Sequence, residues 1–85
     1  MTVSEYVMKT IDSFPKYFNV ALFWKDPFGV LNKRTGFFEE YMEAEGFSKY
    51  LNDRYSNTDM PYVIYINHKR MFANNVEDLL NAKVG

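Results

Sequence analysis

Cysteine is absent from the 85 residues. This excludes disulfides, thiol nucleophiles, thiolate-held iron–sulfur clusters and cysteine zinc sites. A single histidine would leave any zinc site dependent on carboxylates. No apolar run approaches the roughly 20 residues needed to span a bilayer. A basic excess is missing too: 10 Lys and Arg face 11 Asp and Glu, for a net charge of −1. Nucleic-acid binding needs several basic residues on one face, and here only Lys33-Arg34 and Lys69-Arg70 adjoin. The N-terminal stretch carries Glu5 and Asp12 and lacks the basic region of a secretory signal. No phosphate loop, HExxH, Ser-His-Asp set or catalytic acid pair is visible. The expectations are a cytoplasmic protein that is not an enzyme, with no cofactor, no metal, no nucleic acid and no membrane.

What is present suits one folded domain over residues 1–85. Hydrophobic residues make up 47% and aromatics 19%, enough to bury a core in a short chain. Val3, Val7, Ile11 and Phe14 mark one face of a helix, with Thr2 or Ser4 as its cap and Pro15 beyond its end. Residues 18–24, FNVALFW, read as a strand buried on both faces. Residues 25–36, KDPFGVLNKRTG, read as a loop anchored by Leu31. Residues 37–45 fit either a helix or an edge strand. A break is expected at Gly46, followed by a helix from Phe47 to Tyr55. Residues 61–67 read as a strand, Asn67-His68 as a two-residue turn, and 69–73 as the returning strand. Asn75 caps a last helix, VEDLLNAKV. The order is helix, strand, helical region, strand, strand, helix, an α/β pattern.

That order, with residues 51–80, LNDRYSNTDMPYVIYINHKRMFANNVEDLL, resembles the glutaredoxin branch of the thioredoxin fold. NVALFWKD is similar to the first strand of the monothiol members, and Met60-Pro61 falls on the family's cis-proline dipeptide. The resemblance implies a reduced glutaredoxin-like fold with a cis bond before Pro61. Phe28 and Leu31 stand where the family carries its cysteines, so dithiol exchange and cluster binding are lost. FANN replaces the glycine pair of the last turn. The stretch from Lys25 to Pro61 is too short for the family's helix–strand–helix insert, so one element must be missing or shortened.

A scaffold stripped of its redox centre keeps grooves and edges that hold a partner. The expected function is therefore protein binding, as in a small phage-type inhibitor or adaptor. The expected contact surface is Trp24, Lys25, Asp26, Phe28, Met60, Pro61 and Tyr62. Trp24 also fits core packing at a strand end, and Lys25-Asp26 also fits a solvated loop. The alternative is a glutathione or small-ligand remnant acting as a regulatory subunit. The resemblance would assign it to Lys25, Met60 and Asp78. His68, on a hairpin tip with no orienting group, reads as a solvated turn residue. Glu39, Glu40, Glu43 and Glu45 read as a solvated helix face, an acidic recognition surface or a weak cation site.

Overall fold

Thr2 starts the first helix. Its hydroxyl accepts the Glu5 N–H at 3.1 Å, and the Glu5 carboxylate accepts the Thr2 N–H at 3.3 Å. This reciprocal cap satisfies two donors that a helix start leaves free, and it holds the Glu5 carboxyl below the usual range. The computed structural model describes every residue except Lys16. Helix α1 spans Val3–Asp12 and buries Val3, Val7, Thr10 and Ile11, the face the apolar spacing predicts.

Strand β1, Phe18–Lys25, buries Val20, Ala21, Leu22 and Phe23 completely. It pairs on both sides, and this explains its unbroken apolar run. Residues 25–36 are not the loop expected from composition. The turn closes between Asp26 and Val30, and strand β2, Leu31–Phe38, returns along the whole of β1 from Lys25↔Leu31 to Phe18↔Phe38. Gly29 makes the closure tight by taking φ +83°. The polar residues Asn32, Lys33 and Arg34 hid the strand, because an edge strand needs little burial.

Helix α2, Tyr41–Tyr55, then crosses one face of the sheet. No break occurs at Gly46, which is exposed with open space around it. A glycine there costs about 1 kcal/mol relative to alanine, too little to stop a helix packed through Ala44, Ser48 and Leu51. Of residues 37–45, Phe37 and Phe38 are strand, and 41–45 are helix.

Strands β3, Tyr62–Ile66, and β4, Lys69–Asn74, form the expected hairpin. Asn67 and His68 both take positive φ, 47° and 69°, as a tight two-residue turn requires. Asn67 is fastened to β1: its Oδ1 accepts the Asn19 N–H, and its own N–H donates to the Asn19 carbonyl, both at 3.0 Å. His68 is exposed.

The bond before Pro61 is trans, correcting the cis expectation, since no described peptide bond is cis. The loop 56–60 turns the chain by other means. Thr58 Oγ1 donates to the Tyr55 carbonyl at 2.8 Å and accepts the Met60 N–H at 3.3 Å. Pro61 then gives the ladder only its carbonyl, which accepts the Lys25 N–H at 3.0 Å. A proline at a strand's entrance loses no donor the sheet needs.

The last helix is also shorter than expected. Helix α3 spans only Val76–Leu79, and Asn75 sits left-handed without a side-chain cap. Beyond it the chain becomes a strap. The Lys83 N–H donates to the Gly29 carbonyl at 2.8 Å, and the Leu31 N–H donates to the Lys83 carbonyl at 2.9 Å.

The result is a mixed α/β domain with one four-stranded antiparallel sheet in the order β2-β1-β3-β4. One core joins α1 and Leu79 to Ala21, Phe23, Leu31 and Val63. The other joins α2 to Val20, Leu22, Tyr62, Ile64 and Ile66. Between Lys25 and Pro61 there is one strand and one helix. Because a short turn joins them with no crossover, β1 and β2 run antiparallel. Among the described residues no helix is long and apolar enough to cross a membrane.

Candidate functional site

The β1–β2 turn, the loop 56–61 and α3 meet at one end of the sheet. They form a cleft of about 400 Å³ lined by Lys25, Asp26, Pro27, Thr58, Asp59, Met60, Pro61 and Asp78. Four of the expected contact residues, Lys25, Asp26, Met60 and Pro61, are thus brought together. The remaining three do not line the cleft.

Trp24 points to the opposite face. Its ring centroid lies 5.4 Å from that of Tyr55, and the side chain is half-buried against α2. Tyr62 is only 3% exposed, and its hydroxyl donates to Asn52 Oδ1 at 2.6 Å. Burial pushes its phenol above the ordinary value. Tyr62 is therefore a core residue rather than a contact. Strand alternation places it beside Ile64 and Ile66 under α2.

Phe28 stands at the tip of the turn, 88% exposed. The turn beneath it is well braced. The Asp26 carboxylate accepts the N–H groups of Phe28 and Val30 and the Asn32 side-chain amide, each at 2.9 Å. These bonds, the Val30 bond foremost and Asn32 next, hold the Asp26 carboxyl below the usual range. A carboxylate so engaged shapes the loop, leaving little of itself for a partner.

This bracing should depend on pH. The folded pKa of Asp26 lies below its unfolded value, so its contribution is complete above the unfolded pKa and is lost as pH falls through the folded one. Protection of the Phe28 and Val30 amides, measured against intrinsic exchange at each pH, should fall below about pH 4. In Asp26→Asn that acid response should vanish. Unchanged protection down to about pH 2 in the parent chain would contradict the bracing role.

The cleft carries one cation, Lys25, against the carboxylates of Asp26, Asp59 and Asp78. Among the described residues no three His, Asp or Glu side chains converge to hold a metal. The Met60 N–H is engaged by Thr58 Oγ1 at 3.3 Å. Sequence reasoning passed over Pro27, Thr58 and Asp59. The pairing of loop 56–61 with a short turn after β1 was the missing signal, because composition hid β2.

A larger cleft, about 490 Å³, lies between α1 and the C-terminal strap and includes Lys9, Thr10, Ser13 and Lys33. The Thr10 and Ser13 hydroxyls already donate to the Tyr6 and Thr10 carbonyls. They have no proton left for an anion drawn in by the lysines. The cleft at the β1–β2 turn is therefore the better candidate. No protein-family model, curated protein or solved structure matches this chain.

Proposed function

We propose that this chain is a protein-binding module on a reduced, redox-inactive glutaredoxin-like scaffold, and that it acts as a small phage-type inhibitor or adaptor. The contact surface is the β1–β2 turn and the cleft beside it: Phe28 with Lys25, Pro27, Met60 and Pro61. The observation that carries this reading is Phe28. A phenylalanine left 88% in water on a floppy loop would mean little. Here three bonds to Asp26 and the Lys83 strap fix the turn that holds it out. Burying such a ring in a partner's pocket is worth about 1.5–3 kcal/mol, the scale of an interface hot spot. The Asp59 and Asp78 carboxylates beside apolar walls suit a partner with a basic side chain next to the pocket that takes Phe28.

A glutathione-binding remnant is the second reading. Lys25, Met60 and Asp78 do line one cleft, as that reading requires. The engaged Met60 amide and the carboxylates at Asp59 and Asp78 oppose an anionic tripeptide. Shifts of the Lys25, Met60 and Asp78 amides on glutathione titration would revive it.

The test of the main reading is paired affinity capture from an extract of the source organism, with the parent chain and with Phe28→Ser. One stoichiometric protein should be held by the parent and lost from the variant. Because Phe28 makes no core contact, the variant should fold normally. Equal capture by both chains would contradict the reading.

A further inference from the structure

The sheet leaves β2 and β4 as its edges, and the two differ. β4 is bulged, with Met71 skipped between Ile64↔Phe72 and Tyr65↔Arg70, and its charges, Lys69 and Arg70, share one sign. Irregular, like-charged edges resist pairing. β2 is regular over all eight residues. Its charge runs from basic to acidic: Lys33 and Arg34 near its start, Glu39 and Glu40 just past its end. Antiparallel pairing with itself sets the basic half of one strand against the acidic end of the other.

We infer that β2 pairs with β2 of a second copy of this chain about a two-fold axis at Gly36, extending the sheet across both molecules. A two-fold axis normal to the sheet keeps α2 of both copies on the same side, so opposite residues must share a face. Centring on Gly36 meets this condition. Lys33 then lies opposite Glu39 of the second copy, on the α1 side, where Lys33 already lies 5.4 Å from the Tyr6 ring centre. Arg34, on the α2 side over Phe47, lies opposite Phe38 of the second copy, with Glu40 on the diagonal. Phe37, 45% exposed despite its place in a strand, gains cover from Thr35. Each contact occurs twice. A foreign strand would have to reproduce the same reversal of charge; β2 itself carries it.

This dimer leaves Phe28 free and does not depend on the proposed function. Sedimentation equilibrium of the full chain over a wide concentration range should show a reversible monomer–dimer equilibrium that salt weakens. Lys33→Glu should weaken it about tenfold, since each ion pair is lost and reversed twice. Lys33→Glu combined with Glu39→Lys should restore it. Both positions are exposed, and circular dichroism will verify that the variants fold. A monomer at every concentration, a dimer indifferent to Lys33→Glu, or a double variant that fails to recover would each overturn the inference.

Discussion

Phe23→Ala should lower the unfolding free energy by about 3–5 kcal/mol. Phe23 is 0% exposed at the centre of β1. Its ring meets the edges of Tyr6 and Tyr65, each at 6.3 Å and 83° between planes. It therefore ties α1 to both central strands. Truncation removes the apolar transfer term and leaves a cavity that two flanking rings cannot easily fill. A domain of this size has about 5–15 kcal/mol in all, so the variant should sit close to its threshold. Urea unfolding should show a lower midpoint with an unchanged slope. A loss below about 1 kcal/mol would mean that the α1 core is packed differently.

Gly36→Val should destabilise by about 1–3 kcal/mol, although valine favours strands and glycine weakens them. A Cβ at Gly36 would lie 2.9 Å from Phe47 Cε2 and 3.0 Å from Phe38 Cε2. Neither ring can retreat freely. They pack on each other at 5.4 Å between centroids, and the Arg34 guanidinium lies 5.4 Å from the Phe47 ring centre. The glycine is a slot for Phe47, and through it the seat of α2 on β2. Chemical denaturation at dilute concentration gives the sign. Phe47→Leu in the valine background should recover part of the loss, as expected of residues that share one space. A stabilised Gly36→Val would show that propensity outweighs packing here.

These two positions mark what could be read from the chain and what could not. β1 announces itself because pairing on both sides demands an apolar run. The β3–β4 hairpin is visible in the strand formers on either side of Asn67-His68. β2 is not visible. Its residues LNKRTGFF lack alternation, and the strand exists because Asp26 gathers its own loop and folds the segment back along β1. The reach of α2 through Gly46 depends on Leu51 and Ser48 finding the sheet. Likewise α3 stops at Leu79 because backbone bonds at Lys83 fasten the C-terminal residues to the turn.

The same division runs through the site. The resemblance alone groups Lys25, Asp26, Met60 and Pro61; the pairing of β1 with β3 brings these strand ends together. Tyr62 could not be placed. Its alternation with Val63 is plain in the sequence, but which face carries α2 is settled only by tertiary packing. The proline at the strand mouth needs no cis bond, since the sheet asks only for its carbonyl.

The most direct measurement is amide hydrogen exchange on the complex with the captured partner, mapped along the whole chain. New protection should appear at residues 25–30 and 58–61, absent from the free protein. Protection confined to other surfaces, with the Phe28 turn still exchanging as in the free chain, would contradict the proposed contact surface.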